Sequence, residues 1–92
     1  MPRKPEEWSN EYKHITTVFG PRLLELMEGM TITELAVRSG VSTGTISNWI
    51  SGRTVPDIVR LFAISNVLGA SIDWMVGLDD DGAPKRDNTY TQ

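Results

Sequence analysis

Residues 42–51 combine small polar side chains with a stripe of large apolar ones. Ile46, Trp49 and Ile50 have the i, i+3, i+4 spacing of one helical face. The other face carries only hydroxyls, one amide and a glycine, and no charge occurs before Arg53. Ser, Thr and Asn are mediocre helix formers, and glycine costs ~1 kcal/mol relative to alanine inside a helix. Such a face suits hydrogen bonding to another molecule, and the alternative is a solvated helix of small residues.

No residue pattern in the chain is typical of an active site. There is no glycine-rich phosphate loop after a strand, no paired carboxylates on a common scaffold, and no nucleophile with a histidine partner. The chain has no cysteine and a single histidine, His14, which argues against a metal site. The run Asp79, Asp80 and Asp81 is expected to be solvated. We therefore predict no enzymatic activity, no metal and no cofactor.

The N-terminal part of the chain has helical periodicity. Its apolar stripe, with spacings of four, three and four, consists of Trp8, Tyr12, Ile15 and Phe19. This stripe predicts a helix that packs onto the rest of the domain. Gly20-Pro21 then predicts a new or kinked helix start, because proline is favoured in the first turn of a helix.

Capping residues mark the later helices. Thr31 and Glu34 have the spacing of a capping box before a helix over 32–39, and Gly40 fits its left-handed C-terminal position. The other predicted helices, with their N-caps, are 42–51 (Ser42), 58–68 (Asp57) and 72–76 (Ser71). Trp49 is expected in the core. The apolar side chains expected to line helix 58–68 are Ile58, Leu61, Phe62, Ile64, Val67 and Leu68.

The predicted fold is all-α, with five helices and an extra N-terminal helical extension. Residues 1–18 form the extension, which is partly helical, and residues 19–78 form the domain. Residues 79–92 have almost no apolar content and are expected to be a flexible tail or linker. Helices 32–39 and 42–51 are joined by only Gly40-Val41, which is the arrangement of a helix-turn-helix.

The segment from residue 19 to 78 resembles the helix-turn-helix domains of the lambda-type phage repressor and Cro family, the XRE class. The motifs that carry the resemblance are FGPRLLEL (19–26), ELA (34–36), GVS (40–42), Ile46 with Trp49, SGR (51–53) before Pro56, and LGAS (68–71) before DWM (73–75). Each motif is short, but six occur in order at the right spacing. The chain departs from the family at Ile32, where glutamine is common, at Ser39, where an apolar residue is common, and in a recognition helix without Arg, Lys or Gln.

The resemblance implies a DNA-binding domain centred on the second motif helix. In helix-turn-helix proteins this helix lies in the major groove, with its N-terminal residues toward the base edges. The resemblance places on this DNA face Ser42, Thr43, Gly44, Thr45, Ser47, Asn48 and Ser51. Asn48 can bond adenine in a bidentate pair, and the Thr43 methyl group can touch a thymine methyl group. The cations expected at phosphates are Arg53, Arg22 and Arg38.

The function that the resemblance implies is sequence-specific regulation of transcription. We expect a phage-type repressor that binds a palindromic operator as a homodimer, so double-stranded DNA and a second copy are the expected partners. An antirepressor or a toxin protein is a further candidate partner. The chain lacks a long apolar run and a signal-peptide core, which predicts a soluble, cytoplasmic protein without a membrane partner.

Two other functions remain open at this point. One is the antitoxin of a toxin–antitoxin pair, in which a similar domain binds DNA and also a protein. The other is a protein-interaction module that has lost DNA binding, which fits the net charge of −3 and Ile32. The chain fits either a small Cro-like regulator or the N-terminal domain of a longer repressor.

Overall fold

The computed structural model describes residues 5–78, and this part of the chain contains helices and no strand. A short 3-10 turn at Pro5–Glu7 precedes five α-helices. The helices are α1 (Asn10–Leu26), α2 (Ile32–Ser39), α3 (Thr43–Ile50), α4 (Ile58–Leu68) and α5 (Ile72–Met75). The predicted all-α, five-helix architecture is confirmed. None of the described helices has the length and apolar character needed to span a membrane.

The predicted helix starts are confirmed by their capping bonds. Thr31 and Glu34 form a complete capping box, with bonds of 3.0 Å and 2.9 Å, at the start of α2. The side chains of Ser42, Asp57 and Ser71 each accept a backbone N–H from the first turn of the helix that follows. These bonds satisfy amides that would otherwise have no partner in the helix.

The predicted interruption at Gly20-Pro21 is wrong, because α1 runs through both residues without a break. A residue before proline normally avoids helical backbone angles, since its Cβ and N–H clash with the proline ring. Gly20 has no Cβ, and this removes part of the clash. Burial of Phe19 and Leu23 on either side of the pair then holds the helix together. The predicted boundary between residues 18 and 19 falls inside this helix.

The hydrophobic core lies between the five α-helices. Its largest fully buried side chains are Trp49, Phe19, Leu23, Leu35, Ile46, Ile64 and Met75. Trp49 is therefore a core residue, as predicted. Ile58 and Phe62, two of the apolar residues expected to line this helix, lie outside the core. They are 71% and 61% exposed, because α4 turns its opposite side to the core.

The N-terminal half of α1 contacts the rest of the domain through the predicted stripe. Ile15 is half-buried and packs against the core, and Phe19 is fully buried. Trp8 precedes the N-cap Ser9, and its ring lies 4.7 Å from that of Tyr12 between centroids. The predicted tail, residues 79–92, lies outside the described residues, as does its aspartate run.

Candidate nucleic-acid interface

The turn between α2 and α3 is fixed by one glycine and one serine. Gly40 has a φ of +77°, a left-handed conformation that side chains rarely adopt, and its N–H donates to the Ala36 carbonyl at 2.9 Å. The Ser39 hydroxyl donates to the Leu35 carbonyl at 2.7 Å and accepts the Val41 N–H at 3.2 Å. A polar residue is tolerated before the turn because its hydroxyl bridges the two backbone groups.

The inner side of α3 is held by α1 at what we call the α1–α3 crossing, formed by Phe19, Gly20, Trp49 and Ile50. A Cβ placed on Gly20 would lie 2.6 Å from the Ile50 carbonyl oxygen and 2.8 Å from that of Trp49. Only glycine permits this approach of the two backbones. The Trp49 ring also meets Phe19 edge-on, with 5.6 Å between centroids. The crossing fixes which side of α3 faces outward.

The opposite side of α3, its outer face, is formed by Thr43, Gly44, Ser47, Asn48 and Ser51. All are exposed except Asn48, which is half-buried. Nothing lies within 4 Å of a Cβ placed on Gly44. Among the described residues, no hydrogen bond engages the hydroxyls of Thr43 and Ser47. The outer face therefore presents the unengaged hydroxyls of Thr43 and Ser47 around a position with no side chain, while the Ser51 hydroxyl donates to the Asn48 carbonyl at 3.2 Å.

Two further pairs organise the ends of α3. At its start, the Ser42 hydroxyl accepts the Thr45 N–H at 3.1 Å and donates to the Thr45 hydroxyl at 2.9 Å. At its end, the Asn48 carbonyl accepts the Arg53 N–H at 2.9 Å, and the Arg53 guanidinium donates to the Asn48 amide oxygen at 3.4 Å. Of the predicted residues, Ser42 and Thr45 are thus engaged in capping, and Asn48 and Arg53 lie together.

A cleft of about 260 Å³ adjoins α3 on the side of α4. It is lined by Thr45, Asn48, Trp49, Thr54, Val55, Asp57 and Arg60. The Arg60 N–H donates to the Asp57 carboxylate at 2.8 Å, and the guanidinium of Arg60 pairs with it. These bonds lower the pKa of Asp57 from its usual value. Thr54 and Arg60 are not among the residues predicted from the sequence, although the i, i+3 spacing of Asp57 and Arg60 indicates the pair.

The two remaining predicted cations lie in different settings. Arg38 is exposed in the last turn of α2, the helix before the turn. Arg22 lies at the junction of α1 and α5, where its guanidinium donates to the Trp74 carbonyl and stacks over the Trp74 ring, 4.8 Å from the centroid. Arg22 is therefore engaged in joining helices, and its contact with DNA stays a prediction.

No group of three or more His, Cys, Asp or Glu within residues 5–78 is arranged to hold a metal ion. The arrangement at α3 instead suits recognition. Short donors and acceptors on a rigid helix can reach the edges of bases, while backbone amides and nearby arginines can contact phosphates.

One comparison with known proteins agrees with this geometry. A family model described as helix-turn-helix matches residues 22–75, which is more than half of the chain. The match spans α2, the turn and α3, and it confirms the resemblance to the lambda repressor and Cro class. No curated protein and no solved structure shows significant similarity to the chain. The chain belongs to this helix-turn-helix family and is a DNA-binding transcriptional regulator of the XRE type.

Proposed function

We propose that the protein is a sequence-specific, phage-type repressor that binds a palindromic operator as a homodimer, with α3 in the major groove. The observation that carries the proposal is the outer face of α3, which is exposed, uncharged and built of small polar side chains. A solvated helix of this length would be more stable with Ala, Glu or Lys at these positions. The choice of residues is explained if the face contacts DNA closely.

The residues of the outer face have separate roles in this proposal. Thr43 and Asn48 read base edges, the first through its methyl and hydroxyl groups and the second through its amide. The amide oxygen of Asn48 is held by Arg53 at 3.4 Å, a long bond that a base can replace. The Arg53 guanidinium then contacts a phosphate.

The size of the domain supports dimeric binding. A single α3 of eight residues reaches few base pairs, and each contact gives ~1 to 3 kcal/mol of discrimination. Two copies related by a two-fold axis read two half-sites, about 34 to 36 Å apart from centre to centre in helix-turn-helix dimers. A palindromic operator matches that symmetry.

The proposal is tested by selecting bound duplexes from a random DNA library with the full 92-residue chain. The expected result is a palindrome whose half-sites are one helical turn apart, and an affinity that falls steeply with salt. Enrichment of a single half-site would rule out dimeric readout. Absence of any enriched sequence, with weak binding that does not depend on salt, would favour the protein-interaction module. A small protein that co-purifies and modulates binding would favour the antitoxin.

A further inference from the structure

The cleft beside α3 contains an ion pair at the start of α4. The Asp57 carboxylate accepts the backbone N–H of Arg60 at 2.8 Å and also pairs with the Arg60 guanidinium. Both side chains are about half exposed. The bond from the backbone N–H is the main cause of the lowered pKa of Asp57, so the carboxylate is ionised at neutral pH. In the free protein, the guanidinium of Arg60 is therefore held by a full negative charge.

The acidic N-cap of α4 is an exception in this fold. The five α-helices of residues 5–78 each begin with a capping side chain, and the other four caps are the hydroxyl residues Ser9, Thr31, Ser42 and Ser71. A serine would cap α4 about as well as an aspartate does. An exposed ion pair also contributes little to stability. The stability of α4 therefore does not explain why a carboxylate occupies this position.

The ion pair lies beside the residues that are proposed to contact DNA. Thr45 and Asn48 of α3 line the same cleft as Asp57 and Arg60. A duplex in which Asn48 contacts a base edge therefore passes close to the pair. A carboxylate repels phosphates and would weaken binding to every sequence, unless it controls what the neighbouring arginine does.

We propose that Asp57 keeps the Arg60 guanidinium from DNA phosphates until α3 lies in the major groove, so that the ion pair increases the preference for specific over random DNA. The inference rests on the proposed function of α3. In a complex with random DNA, α3 is not fixed against base edges, and the phosphates near the cleft stay farther from Arg60 than its carboxylate partner does. A carboxylate in direct contact attracts the guanidinium more strongly than such a phosphate.

Base contacts by α3 change this competition. When Thr43 and Asn48 bond to base edges, the DNA backbone is fixed beside the cleft, and a phosphate there can bind Arg60 directly. The exchange costs little, because an exposed ion pair is weak and arginine binds phosphate in a bidentate geometry. Arg60 then strengthens binding to the specific sequence only.

The test measures binding of the full 92-residue chain to a random duplex and to the duplex enriched from the random library, over about 50 to 200 mM salt. Asp57→Asn removes the carboxylate charge and keeps the cap, because asparagine caps helices as well as aspartate. Asp73→Asn is the matched control. It makes the same change at an exposed residue of α5, beyond the opposite end of α4, which is ~16 Å long. Equal melting temperatures verify that both variants fold.

Asp57→Asn should bind the random duplex roughly 5- to 10-fold more tightly than Asp73→Asn, with a salt slope steeper by ~0.9, because Arg60 is free to neutralise one more phosphate. Affinity for the enriched duplex should differ from that of the control by less than about twofold, because the ion pair that Arg60 leaves there is weak. A random-duplex affinity equal to that of the control would overturn the proposal. An equal gain on both duplexes would overturn it as well.

The double variant Asp57→Asn/Arg60→Gln tests the role of Arg60 without a change in net charge. It should bind the random duplex as the wild type does and the enriched duplex roughly 5- to 10-fold more weakly, because one phosphate contact is lost. Wild-type affinity for both duplexes would show that Arg60 contacts no phosphate. An equal loss on both would show that Asp57 does not control the contact. Either result would refute the proposal.

Failure of this inference is distinguishable from failure of the proposed function. If a palindrome is enriched but the double variant binds it as the wild type does, the repressor proposal stands and the role of the ion pair fails. If no sequence is enriched, the repressor proposal fails, and the random duplex still tests the ion pair. Tighter binding by Asp57→Asn than by Asp73→Asn would then support the control of Arg60 by Asp57, and equal binding would exclude it.

Discussion

Within residues 5–78, two glycines lie inside helices without positive φ, and their surroundings are opposite. Gly20, in α1, faces the backbone of α3, where an added Cβ would lie 2.6 Å from the Ile50 carbonyl oxygen. Gly44, in α3, has nothing within 4 Å of an added Cβ. Each costs its helix ~1 kcal/mol relative to alanine. The fold explains the first glycine and leaves the second unexplained.

The contrast separates what the fold requires from what recognition requires. At the α1–α3 crossing, glycine brings two helices close enough to bury Trp49 and Phe19. On the outer face, Gly44 lowers the stability of α3, and no contact within the described residues compensates for this loss. A partner that approaches the backbone at Gly44 would account for that loss, and in the proposed function this partner is DNA. Substitutions on the two sides of α3 should therefore differ in which property they change.

The largest expected effect is at the crossing. Trp49→Ala should lower the free energy of unfolding by ~3 to 5 kcal/mol, because it leaves a cavity beside Phe19. Urea denaturation followed by circular dichroism measures the loss. Val37→Ala, at an exposed side chain, is the control and should change stability by less than ~0.5 kcal/mol. A Trp49→Ala variant as stable as this control, impaired only in DNA binding, would mean that Trp49 does not anchor α3.

Gly20→Ala should also destabilise the fold, although alanine is the better helix former. The new methyl group must displace the carbonyls of Trp49 and Ile50, and overpacking of this kind costs ~1 to 3 kcal/mol. The same denaturation experiment measures it. A stabilised Gly20→Ala variant would show that α1 moves away from α3 without loss, and the comparison of the two glycines would lose its basis.

Truncating the side chains of Asn48 and Thr43, or that of Arg53 beside them, should change binding and leave stability nearly unaltered. Asn48→Ala and Thr43→Ala should each cost ~1 to 3 kcal/mol at one base pair of the selected duplex, whereas Arg53→Ala should weaken binding to all sequences and reduce the salt slope by ~1. Titrations with single-base variants and random duplexes, across a salt series, distinguish these outcomes.

The control for these titrations is Thr17→Ala, at an exposed hydroxyl of α1 that bonds the Lys13 carbonyl. It should not alter binding. Unchanged base preference in Asn48→Ala would exclude direct readout by its amide. Specificity would then have to come from DNA shape, water or the backbone around Gly44.

Much of this fold could be predicted because the residues that determine the ends of its helices lie close together in the sequence. The capping box of Thr31 and Glu34, the N-caps before the later helices, and Gly40 act within one helical turn, so neighbouring residues suffice to find them. The buried side of α3 followed from the spacing of Ile46 and Trp49. The same spacing also indicated which residues form the outer face.

The features that could not be predicted depend on contacts distant in the sequence. Pro21 signals a helix start, but packing of α1 against α3 and α5 outweighs the cost of the proline. The position of Arg22 over Trp74 joins residues 52 apart. In α4 the apolar residues surround the helix, so no periodicity shows which face is buried, and the exposure of Phe62 could not be predicted for that reason.

The expected change in stability at Gly44 is smaller than those at the crossing, and its sign is opposite to that of Gly20. Gly44→Ala should raise the free energy of unfolding by ~0.5 to 1 kcal/mol, because alanine restricts the unfolded chain and its methyl group meets nothing in the folded one. The same methyl group projects from the outer face, where it would keep α3 from the base edges, so affinity for the selected duplex should fall. A variant that is more stable but binds less well would show that Gly44 serves recognition and not folding. Thermal denaturation and DNA titration of one preparation measure both properties. If affinity is unchanged while stability rises, DNA does not approach the backbone at Gly44. The bases must then be read by the side chains of Thr43, Ser47 and Asn48.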